Sequence, residues 1–289
     1  MHELVASFVI PAHNEENNIR QTVDELRAAL QKAVIPYEII VVNDNSEDHT
    51  PEVVETIAQA DRHVKLVNRT PPCGFGRAVR TGIDHITGDV VIIYMADLSD
   101  DPRDAIRYYE KIEEGYDCVF GSRFRPESRV EKYPLLKLLV NRIVNRCIQL
   151  MFFCPYNDLT NAFKAYRADV VDECGPFHAS HFNITIEMSL SALTHKYSIA
   201  QIPINWYGRT WGSSHLKISE MGRRYLAVLL KAFSERLLIS DDIMAERVAH
   251  ANQRAENADA LRRRINALQK RLNKLSEQQP EDDPATPED

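Results

Sequence analysis

Short apolar runs alternate with helix-period segments along the first half of the chain. The runs that predict strands are Ala6–Ile10, Glu38–Val42, Val64–Val67, Val90–Met95 and Asp117–Phe120. The helices predicted between them carry Ile19, Val23, Leu26 and Leu30 on one face, span Pro51–Ala60, and start near Gly76. This alternation predicts an α/β fold in which helices cover a parallel sheet and ligands bind beyond the carboxyl ends of the strands.

The predicted strand that ends at Met95 leads into a cluster of acidic and hydroxyl side chains. The cluster consists of Asp97, Ser99, Asp100 and Asp101. Carboxylates packed this closely repel one another unless a cation neutralises them, which favours a divalent-metal site. Pro102 follows directly and is typical of a helix start, so capping of a helix that runs to about Gly115 explains one or two of the acids equally well. Both interpretations stay open at this point.

Polar motifs also follow the first two predicted strands and precede the third helix. They are PAHNEEN from Pro11, NDNSEDHTP from Asn43 and PPCGFGRAVRTG from Pro71. The first two suit helix capping or an Asx turn, and the Gly-x-Gly of the third is weak evidence for phosphate binding. Their shared position makes this edge of the sheet the candidate site.

The composition narrows the class of protein. A formal net charge of −7, concentrated in the acidic segment Glu277–Asp289, argues against a nucleic-acid partner. The five cysteines form no Cys-x-x-Cys pair, which is typical of reduced thiols in a cytoplasmic protein. No apolar run approaches the roughly 20 residues that a membrane helix requires, so neither secretion nor a membrane span is indicated.

Four later segments differ from this pattern. Tyr133–Tyr156 and Met221–Leu238 mix apolar and basic residues, which suits either a helix lying in a membrane interface or one facing a protein core. In residues 243–276, Leu and Ile recur at alternating three- and four-residue spacing, which predicts a coiled coil and a homo-oligomer, with packing on the main domain as the alternative. Residues 277–289 are acidic and proline-rich, which predicts disorder.

In their order and spacing, these motifs resemble those of family 2 glycosyltransferases with the GT-A fold, and most closely the polyprenyl-phosphate sugar transferases. Pro11–Glu15 resembles the family's P-x-[YH]-N-E, and Val42–Ser46 resembles its V-x-D-x-S. Residues 96–98 resemble the end of its D-x-D-L region. The resemblance covers about residues 5–218 and implies a Rossmann-like GT-A domain over 1–218, with an amphipathic helical extension over 219–242.

The resemblance also implies which residues bind the nucleotide sugar. The implied nucleotide site contains Pro11, Ala12, His13, Glu15, Val42, Asp44, Ala96, Asp97 and Ser99. Within it, Asp97 and Ser99 would hold Mg²⁺ or Mn²⁺. Met95 stands where the family has its first aspartate, so metal binding would depend on Asp97 together with Ser99, Asp100 or Asp101.

Further motifs resemble the acceptor half of the family. They are GSRF at Gly121–Phe124, NDLTNAFKAYR at Asn157–Arg167, HFNITIEM at His181–Met188 and QIPINWYGRTWGSSHLK at Gln201–Lys217. By this resemblance Arg123 faces the acceptor phosphate, and Arg142 is a second candidate contact. Beside the donor diphosphate it places Arg209, Ser213, Ser214 and Lys217. Lys164 replaces an arginine of the family motif, and a lysine offers a point charge instead of a fork.

The resemblance implies inverting transfer of a hexose-like sugar from a GDP- or UDP-linked donor to a polyprenyl phosphate at the cytoplasmic face of a membrane. The candidate catalytic residues are Asp97, Arg123, Asp158, Arg209 and Lys217. If the acceptor is instead a saccharide hydroxyl, a general base is needed, and Asp158 is the candidate. A non-catalytic nucleotide-sugar scaffold is a third hypothesis, because Met95 removes an expected carboxylate.

Overall fold

A central sheet of seven strands organises the chain in a computed structural model that describes residues 4–208 and 222–237. In chain order the elements of the N-terminal half are β1 (Ala6–Ala12), α1 (Ile19–Lys32), β2 (Tyr37–Asn43), α2 (Thr50–Ala60), β3 (Val64–Asn68), α3 (Phe75–Ile83), β4 (Val90–Ile93), α4 (Pro102–Glu113) and β5 (Cys118–Ser122). The later elements are β6 (Val130–Glu131), α5 (Leu135–Phe152), β7 (Lys164–Arg167), α6 (Ala168–Cys174), α7 (Ile184–Thr194), β8 (Ile199–Pro203) and β9 (Trp206–Tyr207). Residues 222–237 form a further helix.

The strands lie in the order β3-β2-β1-β4-β7-β5-β8, and β6 pairs with β9 in a separate two-stranded sheet. Within the large sheet β7 runs antiparallel to both of its neighbours, β4 and β5, while the other pairs are parallel. The predicted α/β class and all five predicted strands are therefore confirmed. The antiparallel strand β7 was not predicted, because a segment of four residues that includes Lys164 and Arg167 has no apolar run.

Period-two alternation in the buried strands divides the core between the two faces of the sheet. In β1, Phe8 and Ile10 face one core cluster with α1, α2 and α4, whereas Val9 faces the other with α3, α6 and α7. A Cβ atom built on Gly82 of α3 would lie 2.3 Å from Cγ1 of Val9, so the absence of a side chain there lets the helix approach the sheet. Helices on both faces leave the carboxyl ends of the strands as the open edge.

Some predictions differ from the structure at their boundaries, and some fall outside it. β4 ends at Ile93, so Met95 already belongs to the loop after the strand. The two basic amphipathic segments are helical, as α5 and as the helix at 222–237. Among the described residues, no helix combines the length and the apolar character needed to cross a bilayer. Arg209, Lys217, the coiled coil and the acidic tail lie outside the described residues.

Candidate active site

The parallel strands β2, β1 and β4 bring the predicted nucleotide motifs together at one edge of the sheet. Ala12 pairs with Asn43 across the β1–β2 ladder, so the loops that follow both strands start side by side. The Nδ1 atom of His13 lies 2.8 Å from the carbonyl oxygen of Asp44. On the β4 side, the Thr22 hydroxyl donates to the carbonyl oxygen of Ala96 at 2.9 Å. The loops after the first and second strands therefore contact each other, and α1 ties the loop after the fourth strand to them.

Asp44 is a buried carboxylate that organises the nucleotide side of this surface. It accepts a hydrogen bond from the backbone N–H of Gly74 at 2.6 Å, and it pairs with the guanidinium of Arg69. The residue is only 4% exposed. The loop before α3 is thus tied to the loop after β2. The Gly-x-Gly segment itself lies against residues 179–181, since a Cβ atom built on Gly74 would lie 2.3 Å from the carbonyl oxygen of Ser180. Sequence reasoning missed Arg69, because one arginine at the end of a strand carries no motif.

Three residues of the predicted nucleotide site have other roles in the structure. The side chain of Val42 is fully buried in a small cluster with Ile40 and Ala78, and Ala12 is buried in the larger core. The backbone of both residues lies in the pairing between β1 and β2, and their nucleotide roles stay predictions. Glu15 accepts from the Asn18 amide at 2.7 Å, and its own N–H donates to Thr50. These contacts shape the loop before α1, and the role of Glu15 as a nucleotide ligand stays a prediction.

The acidic cluster after β4 divides between capping and site roles. Asp101 is the N-cap of α4, since its carboxylate accepts from the backbone N–H of Arg103 at 2.9 Å and pairs with the Arg103 side chain. The carboxylate of Asp100 does not cap the helix and instead accepts a hydrogen bond from the backbone N–H of Met95 at 3.0 Å. Asp97 accepts from the N–H of Ser99 at 3.2 Å. The helix-cap interpretation is therefore right for Asp101.

Asp97 and Asp100 form the acidic end of the site. Burial and the negative charge of Asp97 raise the pKa of the Asp100 carboxyl well above its usual range, although the Met95 N–H and Arg123 oppose this. A divalent cation would relieve this repulsion, and the available donors are oxygens, as Mg²⁺ and Mn²⁺ prefer. Residues 4–208 and 222–237 contain no cluster of three or more metal-ligating side chains.

Arg123, at the end of β5, is held by Asp158 in a buried bidentate pair. The Nε atom donates to Oδ2 of Asp158 at 2.8 Å and Nη2 donates to Oδ1 at 2.7 Å, while the Arg123 backbone N–H adds a third bond to Oδ2. Burial opposes the charge, but Asp158 outweighs it and raises the pKa of Arg123. The guanidinium also lies 5.5 Å from the ring centroids of Phe124 and Tyr133. Its orientation is therefore fixed from several sides.

The same pair bears on two predicted roles. Asp158 has no exposed surface and also accepts from the Thr160 hydroxyl, so it is poorly placed to take a proton from a saccharide acceptor. Arg142 is exposed on α5, where its guanidinium lies 5.0 Å from the centroid of the Phe124 ring. Arg123 lines the cleft described next, whereas Arg142 does not. The prediction of Arg142 as a direct acceptor contact is not supported by this placement.

A cleft of about 750 Å³ joins the acidic end, Arg123 and an apolar groove. Its polar end is lined by Asp97, Ser99, Asp100, Arg123, Thr160 and Asn161. Its apolar part lies between α5 and the 222–237 helix and is lined by Val140, Ile143, Val144, Cys147, Met151, Phe182, Leu226 and Leu229. Lys132 and Lys137, the latter in the first turn of α5, also line the cleft. The cleft thus combines a charged end with an apolar groove.

Sequence reasoning missed several residues that support this cleft. Asn145 on α5 is buried, donates to the Thr160 hydroxyl at 3.0 Å and accepts from the Leu159 N–H at 2.7 Å. Trp206 packs edge-on against Tyr133 with ring centroids 4.9 Å apart. A polar residue within an apolar helix face was the available signal for Asn145. The aromatic pair comes from distant segments, and no local pattern marks it.

Comparison with known proteins first defines the class of fold. The glucosyl-3-phosphoglycerate synthase of Mycobacterium tuberculosis, solved with Mn²⁺, uridine diphosphate and phosphoglyceric acid, matches with a TM-score of 0.61 at 20% identity. The match covers 80% of this chain and 78% of that one. The same enzyme has also been solved with Mg²⁺ and uridine diphosphate. The fold is therefore that of the GT-A glycosyltransferases, as predicted.

The family model for glycosyl transferase family 2 matches residues 7–175, and the chain belongs to this family. A dolichol-phosphate mannosyltransferase from Pyrococcus furiosus is 32% identical over 217 residues, which cover 73% of this chain and 59% of that protein. A polyprenol monophosphomannose synthase from Mycolicibacterium smegmatis is 26% identical over 219 residues, which cover 74% and 81% respectively. The chain spans less than two thirds of the length of the relative from Pyrococcus furiosus. The predicted resemblance to family 2 glycosyltransferases is confirmed.

Proposed function

We propose that this protein is an inverting glycosyltransferase that moves a hexose-like sugar from a GDP- or UDP-linked donor to a polyprenyl phosphate. The observation that carries the proposal is the single cleft in which the acidic strand end and Arg123 open into an apolar groove. A polyprenyl phosphate has the matching chemistry, an anionic head on a long hydrocarbon. The names of the relatives from Pyrococcus furiosus and Mycolicibacterium smegmatis support the same acceptor class.

The acceptor chemistry suits the residues in the cleft. The acceptor phosphate oxygen is anionic at neutral pH, so it can attack the anomeric carbon without a strong base. In this displacement, a bond forms between that oxygen and the anomeric carbon, while the bond from the anomeric carbon to the diphosphate breaks. Arg123 would orient the acceptor phosphate, because Asp158, Phe124 and Tyr133 fix the plane of its guanidinium. Most of the catalytic contribution is then positioning.

Asp97 and Ser99, with Asp100 beside them, are the residues that would hold Mg²⁺ or Mn²⁺. A bound cation of this kind supplies charge stabilisation for a leaving diphosphate. On the nucleotide side, His13, Asp44 and the backbone of Pro11–Ala12 would line the base and ribose, since these groups meet where β1 and β2 end. Arg209 and Lys217 stay candidate diphosphate contacts, but they lie outside the described residues.

Peripheral attachment to a membrane belongs to the same proposal, because a polyprenyl acceptor resides in a bilayer. Helix α5 exposes large apolar side chains along its length, namely Leu135, Leu136, Leu139, Ile143 and Leu150. Its sequence contains three cations, Lys137, Arg142 and Arg146, and no aspartate or glutamate. An apolar and basic helix surface suits the interface of an anionic membrane, such as a cytoplasmic leaflet. A homo-oligomer through the coiled coil of residues 243–276 stays a sequence-based prediction.

The test is transfer of radiolabel from UDP- and GDP-hexoses to undecaprenyl phosphate in the presence of Mn²⁺. We expect label in the organic phase, its loss on addition of EDTA, and its recovery with excess Mn²⁺ or Mg²⁺. Label that enters only an added oligosaccharide would support the saccharide-acceptor alternative and overturn the lipid acceptor. Nucleotide-sugar binding without any turnover would support the scaffold hypothesis. The Asp97→Asn variant is the control for turnover at the acidic end.

A further inference from the structure

Lys164, the first residue of β7, is buried behind the cleft and has no part in the chemistry described above. It is 1% exposed, in a strand that lies between β4 and β5 in the sheet. Lysine is among the residues that are least often fully buried. It also stands where the family motif has an arginine. A departure from that motif at a buried charged position calls for a specific role.

The contacts of Lys164 join the loop that carries Asp158 to helix α7. Its Nζ atom donates to the carbonyl oxygen of Leu159 at 2.7 Å and to that of Thr185 at 3.2 Å. Nζ also lies 5.2 Å from the ring centroid of Phe120 on β5. A neutral amine can serve both carbonyls, while an ammonium can direct its third proton towards the ring. The surroundings therefore accept both protonation states.

The Leu159 carbonyl is next to the residues that set the acceptor side of the cleft. Asp158 precedes it and holds Arg123, and Thr160 follows it, lines the cleft and donates to Asp158. Lys164 therefore binds the residue that directly follows Asp158, the partner of Arg123. The same loop carries the carboxylate on which the orientation of Arg123 depends.

Within the part of the chain that the structure describes, three charged or titratable groups act on the Lys164 amine. They are Asp158 from the loop, Arg123 from the end of β5 and the Cys118 thiol from β5, while α7 presents the uncharged Thr185 carbonyl. Burial lowers the pKa of Lys164 to about 7, Asp158 opposes this shift, and Arg123 adds to it. The amine therefore changes its charge close to neutral pH.

We propose that Lys164 is a positioning residue. Its hydrogen bond to the Leu159 carbonyl oxygen keeps the Arg123–Asp158 pair in the orientation that binds the acceptor, so that loss of the Lys164 proton weakens acceptor binding. An ammonium donates a stronger hydrogen bond to a carbonyl than a neutral amine does. When the proton leaves, the loop is held less firmly and Arg123 loses part of its fixed orientation. This inference rests on the proposed function, since it takes the ligand of Arg123 to be the acceptor phosphate.

The experiment measures the affinity of the full chain for farnesyl phosphate by calorimetry, from about pH 6 to pH 8.5 around the Lys164 pKa of about 7. The variants are Lys164→Arg, Lys164→Met and, as a matched control, Lys111→Met at an exposed pair with Glu114. Titration of the ligand phosphate is common to all variants and cancels in affinity ratios. From the low to the high pH, we expect the wild-type affinity to fall about threefold to tenfold relative to Lys164→Arg. Lys164→Met should bind weakly at every pH, and Lys111→Met should follow the wild type.

Kinetics and unfolding give further readouts. The KM for the polyprenyl phosphate should follow the same pH ratio, while the donor KM should not. The unfolding free energy of the wild type should rise relative to Lys164→Arg between pH 7 and about 10, because the unfolded lysine binds a proton that the folded one has lost. This comparison needs only the wild type and Lys164→Arg, so it stands even where Lys164→Met does not fold.

Each contrary outcome has a defined meaning. Parallel affinity profiles for the wild type and Lys164→Arg would overturn the role of Lys164 while leaving the proposed function intact. A flat difference in unfolding free energy would show that Lys164 does not titrate in this range, which also overturns the inference. Absence of farnesyl phosphate binding by the wild type at every pH would overturn the proposed acceptor class, and with it the inference.

Discussion

Arg123 and Arg142 lie near the same phenylalanine ring, yet only Arg123 lines the cleft. We predict that Arg123→Lys raises the KM for polyprenyl phosphate by at least about tenfold, because a lysine cannot keep the bidentate bonds to buried Asp158. The donor KM should stay unchanged. Steady-state transfer assays with each substrate varied in turn measure both values.

Arg142→Ala is the matched control for that substitution, since it removes a guanidinium from the same ring on the exposed side. We expect its acceptor KM in detergent to stay within about threefold of the wild type, as exposed charges contribute little. An equal loss in both variants would contradict the assignment of Arg123 as the acceptor contact.

The acidic residues after β4 provide a second residue-level prediction. Asp101→Ala removes the cap of α4 and should lower the unfolding free energy by about 1–2 kcal/mol, with transfer activity per folded molecule retained. Asp97→Asn should keep the unfolding midpoint and lose at least about a hundredfold in turnover, because it removes a negative oxygen from the acidic end. Urea unfolding and transfer assays on the same preparations measure both. The reverse pattern would exchange the two assignments.

At the scale of elements, α5 contributes side chains to the cleft and also bears the exposed apolar surface. We predict that Leu135→Glu with Leu139→Glu lowers binding to phosphatidylglycerol vesicles at least about tenfold, since it removes apolar contact and adds negative charge. Cosedimentation with vesicles measures this binding. Val34→Glu, at a residue 77% exposed and remote from α5 in sequence, is the control and should bind like the wild type. Equal loss in the control would remove α5 as the docking surface.

Some elements could be predicted from the sequence and others could not. Strands β1, β2 and β4 were predicted because they are buried on both faces, so their apolar runs are continuous. Strand β7 was missed because its central position in the sheet coincides with the polar motif around Lys164. The amphipathic pattern of α5 predicted a helix, but it could not separate residues facing the cleft from those facing solvent. That distinction depends on the position of the 222–237 helix, which is set by distant contacts.

At the scale of the whole molecule, stability towards acid should depend on Glu38 of β2. Its carboxylate accepts hydrogen bonds from Ser7 and Lys65, each at 2.7 Å, and from the Thr87 N–H. Burial raises its pKa, but these bonds outweigh burial and lower the pKa to about 2. Its stabilisation is therefore complete above the ordinary value of 4.5 and is lost as the pH falls from there towards 2.

We predict that Glu38→Gln lowers the unfolding free energy at neutral pH by about 1–3 kcal/mol, because it weakens bonds that join three parts of the fold. The difference from the wild type should shrink as the pH falls from about 5 to about 3. Urea unfolding across this range measures it. A difference that stays constant with pH would show that the charge of Glu38 does not contribute.

For the candidate site, the sequence predicted which residues follow the strands, but not how their side chains pair or which of them are buried. Motif order placed Asp44, Asp97 and Arg123 at the strand ends, since parallel strands impose that arrangement. The pairing of Arg123 with Asp158 joins residues 35 positions apart, and no local pattern indicates it. The burial of Val42 was equally hidden, because a motif position does not reveal whether its side chain or its backbone faces a ligand.

The exposed apolar surface of α5 places the mouth of the groove at the membrane under the proposed function, and this affects the kinetics of transfer. Under the proposed function, the acceptor enters the groove from the surface on which the protein rests, so its tail need not pass through water. Encounter then takes place in two dimensions, and the relevant quantity is the mole fraction of acceptor among the lipids, not its amount per volume. For vesicle-bound protein at a fixed donor concentration, diluting the bilayer with inert phospholipid at constant total acceptor would slow transfer. Enlarging the aqueous volume while the protein stays bound and the donor concentration is kept constant would not.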